Sequence, residues 1–400
     1  VFFLGLTFLG LIIGQGLVLA FGIMGLLAGV ISLVWNVWSL EDVLYERRLP
    51  ERRLFLGEEV PLTVRLTNKK PVPLTWIRVA DDIPEALEVV SGDVGVNIRP
   101  DTRTINHSTS MAWYERVTWR YRLRTTRRGR YRLGPARLES GDPFGFLRSK
   151  KTLQDTDSIL VYPRVVPLEE MGIPSARPLG DVRGGLRIFP DPSRPSGLRE
   201  YEIGDPLKIV DWKATARAQR LQVRTYEPST SFNVIVALAV DTATPYWGTY
   251  RPEILERVIT VAASVAAYAD ERLYALGLFS NDMPFMGDRP MTVAPKRGPD
   301  QLPLILEALA TTRSYALGPM ADELAHRSRS FPMGSTIVLA TAFLPPELAL
   351  VLDDLKGRGH KVVVIYVGDE PGSRPAEGII FHDLRDYFVK MEAAVGPLEG

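Results

Sequence analysis

The first forty residues of the chain contain no Asp, Glu, Lys or Arg. As one helix at 1.5 Å per residue they would extend roughly 60 Å, about twice the thickness of a bilayer's hydrocarbon core, so the run has to fold back on itself. Gly14-Gln15-Gly16 supplies the break and leaves two apolar arms, Val1 to Ile13 and Leu17 to Leu40. The second arm is long enough to cross a membrane at roughly 36 Å with some tilt, and Trp35 and Trp38 fall where an aromatic belt belongs. The first arm is too short to cross alone, and residues upstream of Val1 are expected to complete it. No small-residue cleavage site precedes the polar stretch, which argues against a signal peptide. Arg47, Arg48, Arg52 and Arg53 come next, and the positive-inside rule puts that side in the cytoplasm. The expectation is a transmembrane hairpin over residues 1–40, inserted in the inner membrane, with everything after it cytoplasmic.

Hydrophobic periodicity divides the remainder. Short strands punctuated by turns are expected at Val60 to Thr67, Leu74 to Val79, Val117 to Thr125 and Gly129 to Leu138, with Asp81-Asp-Ile-Pro84 as a solvated loop. Trp119, Tyr121 and Leu123 alternate with Arg120, Arg122 and Arg124, the period of a strand with one buried face. Residues 41–165 therefore read as an antiparallel β-sandwich of immunoglobulin-like or fibronectin-like type. Residues 166–198 are rich in Pro, Gly and Arg and read as a linker. From residue 199 to 400 strands alternate with helices: strands at Asn233 to Val240, Leu273 to Phe279, Thr336 to Thr341 and Lys361 to Val367, with helices at Pro252 to Asp270, Gln301 to Thr311, Met320 to Arg329 and Pro346 to Lys356. That alternation implies a parallel sheet covered on both faces, an α/β domain.

Charge and cysteine content exclude several function classes. Lys plus Arg number 48 against 47 Asp plus Glu, a net charge of +1, so there is no global pull toward nucleic acid. The arginine stripe from Arg116 to Arg132 is read as the wet face of a sheet, and no nucleic-acid partner is expected. With no cysteine there is no thiol nucleophile, thiolate metal site or iron–sulfur cluster. His107, His326, His360 and His382 are isolated, and neither a phosphate-binding Gly-Lys-Ser/Thr loop nor a Gly-x-Ser-x-Gly elbow is present.

The densest stretch is Arg199 to Glu227. Asp205-Pro206 reads as an N-cap followed by the first helical residue, so a helix is expected from Pro206 to about Gln219, with Ile209 and Trp212 on one face and Trp212 in the core. The series Arg199, Tyr201, Gly204, Asp205, Asp211, Trp212, Ala214, Ala216, Arg217 and Glu227 resembles the signature of the bacterial family called domain of unknown function 58. Arg128-Gly-Arg-Tyr131, Asp142-Pro-Phe-Gly145 and Val161-Tyr-Pro-Arg164 fit the same family. Arg199, Tyr201, Gly204, Asp205, Asp211, Trp212, Arg217 and Glu227 are the candidate interaction residues. The competing reading makes this cluster a salt-bridged clamp for its own helix and strand. The resemblance implies partnership with a MoxR-type AAA+ ATPase that remodels or matures other complexes.

The α/β domain also resembles a von Willebrand factor A fold, Rossmann-like in layout, whose metal site uses Asp-x-Ser-x-Ser after the first strand. Here that position reads Asp241-Thr-Ala-Thr-Pro245, so both serine positions lack their oxygen. Asp241, Thr242 and Thr244 form a degenerate site with too few oxygens for a dedicated Mg²⁺, and no cofactor is expected. The leading expectation is a non-enzymatic membrane adaptor. The alternatives are a metal-assisted hydrolase centred on Asp241 and a structural scaffold for envelope assembly.

Overall fold

Two helices, α1 (Phe2–Ile13) and α2 (Gly16–Ser39), open the chain and pack against each other through glycine. A Cβ on Gly10 would lie 2.6 Å from the Leu19 nitrogen and one on Gly22 would lie 2.5 Å from Thr7 Oγ1, while one on Gly25 would strike the Phe3 ring. Those pairings run in opposite directions along the two helices, so they form an antiparallel hairpin. Small residues at the seam are what lets apolar helices approach closely where burial from water gives no drive. The 24-residue α2 is long and apolar enough to cross a membrane. The computed structural model describes residues 2–90, 94–96, 101–174, 179, 189–202, 210–229, 232–243, 245–246, 251–283, 291–370 and 375–395, and it divides into two units, Val1–Pro163 and Arg164–Gly400.

In the first unit the hairpin leads into β1 (Val43–Arg48), β2 (Arg53–Phe55), β3 (Glu59–Asn68), β4 (Leu74–Pro84), β5 (Leu87–Val89), β6 (Val94–Val96), β7 (Thr102–Met111), β8 (Arg116–Thr125), β9 (Gly129–Leu133), β10 (Ala136–Gly141), β11 (Arg148–Leu153) and β12 (Asp157–Tyr162). They form sheets ordered β1-β3-β8-β5, β11-β10-β4-β7-β6 and β2-β12-β9, antiparallel apart from the β2–β12 pair. Alternation along β3 and β8 turns Leu62, Val64, Tyr121 and Leu123 inward, where they share a core with Ile83, Ile105 and Ile159 from the other sheets. Each such side chain contributes on the order of 1.5–3 kcal/mol. Arg116, Arg120, Arg122 and Arg124 are exposed, as their alternation predicts.

The end of α2 is built into this unit. Leu40 joins Val43, Leu66, Ile77 and Leu138 in a second core cluster. At the end of α2, Lys70 Nζ donates to the carbonyls of Trp38 (2.7 Å), Ser39 (2.5 Å) and Glu41 (2.8 Å), as a cation at a helix C-terminus favours. Burial pushes the Lys70 ammonium down to about 8, against the pull of Asp42 and Glu41. Ser149 Oγ donates to the Asn36 carbonyl at 2.9 Å, and Ser32 Oγ donates to Asp142 Oδ2 at 2.9 Å.

Two expectations fail here. Gly129 to Leu138 is two strands, separated by Gly134, which sits at φ +97°, and by Pro135, which has no N–H to donate. Asp81 and Asp82 are not in a solvated loop: β4 runs through both, and each is 2% exposed. Arg47, one of the four arginines after the hairpin, has its side chain buried. Its side chain, 3% exposed, donates through Nε to Asp81 at 2.8 Å, with Tyr45 Oη donating to the same carboxylate at 2.5 Å. The other end of the guanidinium reaches the Asp155 carbonyl at 3.1 Å and Asp157 at 3.3 Å. Asp82 is likewise paired, with Arg137 at 2.7 Å and Thr104 at 3.0 Å.

The second unit contains β13 (Phe189–Glu200), α3 (Trp212–Ala218), β14 (Gln222–Ser229), β15 (Asn233–Leu238), α4 (Pro252–Glu271), β16 (Ala275–Ser280), β17 (Thr292–Lys296), α5 (Gln301–Thr311), α6 (Met320–Arg327), β18 (Thr336–Thr341), α7 (Pro346–Gly357), β19 (Lys361–Tyr366), β20 (Ile380–Asp383) and α8 (Arg385–Val395). Six strands form one sheet, ordered β17-β16-β15-β18-β19-β20 and parallel except for the edge strand β17. The sheet is therefore mixed rather than wholly parallel. Residues expected to be linker contribute β13, which pairs antiparallel with β14. Arg257 on α4 ties in the last helix, donating to both oxygens of Glu392 at 2.6 Å and to Asp369 at 2.7 Å.

Replacing Asp81 with Ala leaves the Arg47 guanidinium buried without its nearer counter-charge, and a loss of about 3–5 kcal/mol is expected. Urea unfolding of the detergent-solubilised chain, followed by tryptophan fluorescence, measures it. The double change Arg47→Met with Asp81→Leu should cost clearly less than Asp81→Ala alone.

Candidate functional site

The signature segment forms a two-stranded ribbon with a short helix in its connection. β13 and β14 pair from Phe189↔Ser229 to Glu200↔Gln222, and Tyr201 N donates to the Leu221 carbonyl at 2.9 Å. Val210 makes an isolated bridge to Val223, which is incompatible with a helix running from Pro206. The helix begins instead at Trp212, capped by Asp211, whose Oδ1 accepts from the Lys213 and Ala214 nitrogens at 3.0 Å each. It ends at Gln219 in the left-handed conformation, φ +53°. Gly204 and Asp205 lie outside the described residues, as does the Glu227 side chain, although its backbone is part of β14.

Asp211 serves a second purpose. Its Oδ2 accepts from Arg224 Nε on β14 at 2.9 Å, which fastens the helix start to the strand beneath. Backbone donation from Ala214, then the Arg224 guanidinium, holds the Asp211 carboxyl below its ordinary value, and burial opposes them only weakly. Gln222 N donates to Thr215 Oγ1 at 3.0 Å, and Arg220 pairs with Glu200 at 3.1 Å. So part of the expected clamp exists, built from Asp211 and Arg224. Arg199 donates to the Glu200 carbonyl at 3.0 Å, whereas Lys213 and Arg217 point into solvent.

Trp212 departs most from expectation. It is 65% exposed, and α3 has no buried residue at all. A seven-residue helix presents only two turns, and its polar cap, not its apolar face, is what fixes it to the ribbon. Leu198 and Leu221 are exposed on the adjoining strand ends. Sequence reasoning missed Arg224, although its place on the strand after the helix was a usable signal.

The second candidate lies at the carboxyl edge of the six-stranded sheet. The chain leaves β15 for β16 on one side and returns to β18 on the other, so the crevice beyond β15 is a topological switch point, where open α/β sheets bind ligands. Asp241 sits there, buried. Its Oδ1 accepts from Asn281 Nδ2 at 2.9 Å and its Oδ2 from Met320 N at 3.1 Å, at the start of α6. Asn281 also donates to the Gly318 carbonyl and accepts from Val240 N, each at 2.9 Å. Burial raises the Asp241 pKa, and the Met320 and Asn281 donors counter it in part. Both oxygens face amide donors, so the carboxylate joins the ends of β15 and β16 to α6. Asn281 directly follows the carboxyl end of β16 as Asp241 lies just past that of β15, and attention to polar residues at strand ends could have found it. Thr242 is half-buried beside Asp241, and Thr244 lies outside the described residues. Among the described residues, no three His, Asp or Glu side chains are grouped to hold a metal.

These features define a two-unit protein in which an apolar hairpin leads into an antiparallel β unit, and a mixed α/β unit displays a capped, exposed ribbon. Residues 197–381 match the family model described as Protein of unknown function DUF58. A relative in Bacillus subtilis (strain 168), the uncharacterized protein YeaD, is 24% identical over 249 residues, covering 60% of this chain and 55% of its own length. Among solved structures, the CARDB domain of the PF1109 protein from Pyrococcus furiosus is similar at 15% identity, over 30% of this chain and 92% of that one, with a TM-score of 0.20. A cohesin module from a Clostridium perfringens family 33 glycoside hydrolase is similar at 10% identity, over 30% of this chain and 96% of that one, with a TM-score of 0.21. Likeness at that level carries nothing about activity.

Two outcomes follow from the geometry. A carboxylate with a depressed folded pKa stabilises fully above its ordinary value of about 3.9 and ceases to do so as pH falls through the folded value. Hydrogen-exchange protection of the Lys213 and Ala214 amides is therefore expected to be full above about pH 3.9 and to be lost only as pH is lowered further, with Asp211→Ala removing it throughout. Asp241→Ala leaves Met320 N and one of the two Asn281 Nδ2 protons without an acceptor, and should lower unfolding free energy by about 1–3 kcal/mol in urea titration.

Proposed function

We propose that this chain is a membrane-anchored adaptor that recognises a protein partner through the ribbon around Trp212. In this reading α1 and α2 anchor it in the inner membrane, and both units lie in the cytoplasm. The α/β unit is von Willebrand A-like, and Asp241 takes the place of a metal ligand without serving as one. The observation that carries the reading is Trp212, 65% exposed on a helix with no buried residue. A large aromatic side chain held in water by a rigid mount is the kind of group that dominates binding energy at protein interfaces. The Asp211 cap and the Arg224 pair supply that mount.

The Asp241 carboxylate supports an adaptor over a hydrolase, because its oxygens are committed to Asn281 and Met320. A MoxR-type AAA+ ATPase is the proposed partner on the strength of the family resemblance, and assembly or maturation of a larger complex is the proposed process.

The test is affinity isolation of the tagged full-length chain from detergent-solubilised membranes, with and without ATP. Recovery of a MoxR-type ATPase with the native chain, falling at least tenfold for Trp212→Ala, is the expected result. The substitution touches an exposed side chain, so urea stability should change by less than about 0.5 kcal/mol. Equal recovery by the variant, or no ATPase with either, would defeat the proposal.

A further inference from the structure

We propose that the turn between β10 and β11 is a second membrane contact, with Phe144 and Phe146 entering the boundary between headgroups and acyl chains beside α2. The inference rests on the reading of α2 as a membrane span. Phe144 and Phe146 are 52% and 58% exposed, and their rings stack on each other with centroids 5.9 Å apart. The tip Pro143-Phe-Gly-Phe146 carries no charge. The adjoining Asp142 is turned inward at 1% exposure, where it accepts from Ser32 Oγ at 2.9 Å, Phe144 N at 2.9 Å and Leu147 N at 2.6 Å.

Contacts with α2 set the depth of this tip. Ser149 on β11 meets the helix at Asn36 and Asp142 meets it at Ser32. Passing from the strand to its turn thus moves about 6 Å toward the start of α2, since four helical residues rise that far. Gly16 to Trp35 spans about 30 Å, the thickness of a hydrocarbon core, which puts Trp35 and Trp38 at the headgroup belt. Ser32 is three and six residues inside those two positions, about 5 to 9 Å. Apolar groups of interfacial proteins reach that depth. Charge agrees: Arg148, Lys150 and Lys151 follow the tip and are exposed, suited to anionic headgroups just above it.

The inward carboxylate also makes sense at that depth. A solvent-directed Asp at the turn would have to be dragged into lipid, whereas one satisfied by a helix hydroxyl and two backbone amides leaves an uncharged surface facing out.

The chain has no cysteine, so single-cysteine variants report one site each. Phe146→Cys, Phe144→Cys, Leu27→Cys and Glu51→Cys are labelled with an environment-sensitive nitrobenzoxadiazole dye in the full chain, reconstituted into phosphatidylcholine–phosphatidylglycerol vesicles. Aqueous iodide is expected to quench the Phe144 and Phe146 sites at least threefold less than Glu51, and doxyl groups near the headgroup at least twofold more. Leu27, midway along α2, should be quenched by doxyl groups placed deep in the chains. If iodide reaches both turn sites as it reaches Glu51 while Leu27 remains in lipid, the second contact is wrong and the anchor stands. Protection of the turn sites from both quenchers would mean a protein covers them, and would also overturn the proposal. Iodide access at Leu27 would remove the anchor and the second contact together.

Discussion

The first unit depends on one buried guanidinium. Arg47 extends from β1 in the four-stranded sheet to Asp81 on β4 in the five-stranded sheet, and on to the Asp155 carbonyl and Asp157 at the start of β12 in the three-stranded one. Three sheets that share apolar faces can slide across one another with little change in buried area. A planar, five-donor group that must find all of its acceptors in one arrangement removes that freedom. Tyr45 completes the site, its hydroxyl on the same carboxylate, and burial, aided by the charge of Asp81, holds its proton more firmly than usual. Gly134 belongs to the same arrangement, because a Cβ there would collide with the Arg47 guanidinium. Such a pair contributes more to uniqueness of packing than to net stability.

What was legible in the sequence was whatever burial alone decides. Thr336–Thr341 and Gln301–Thr311 are found at the residues expected, because an unbroken apolar run bounded by turn residues has few ways to bury itself. The β3–β8 pair was legible for the same reason, through strict alternation. Polar residues at long range were opaque. Asp81 and Asp82 beside Ile83-Pro84 look like a turn to any local rule, and only Arg47, Arg137 and Thr104, distant in sequence, make a strand there tolerable. β17, β20 and α8 went unread because they lie at the margins of the sheet, where short edge elements carry a weak pattern.

The two candidate sites show opposite uses of a carboxylate. Asp211 is near the surface, favours its charged form and shares it between a helix start and Arg224. Asp241 is buried, and it joins strand ends to α6 against a desolvation cost. Proline after Asp205 drew the expected helix start six residues too early, since Asp211 followed by Trp has no comparably strong local signal. Placing Trp212 in the core was the same error carried forward, because on the longer helix it would have had a face to bury.

Lys70 fixes more than three carbonyls. By gathering the last oxygens of α2 into the body of the β unit, it leaves no swivel between them. A helix joined to a domain by a slack linker lets that domain tumble; here, tilt or rotation of the helix is inherited by the β unit as by a flag on its pole. Bilayer thickness and curvature, which set helix tilt, thereby acquire mechanical leverage over how the first unit is oriented.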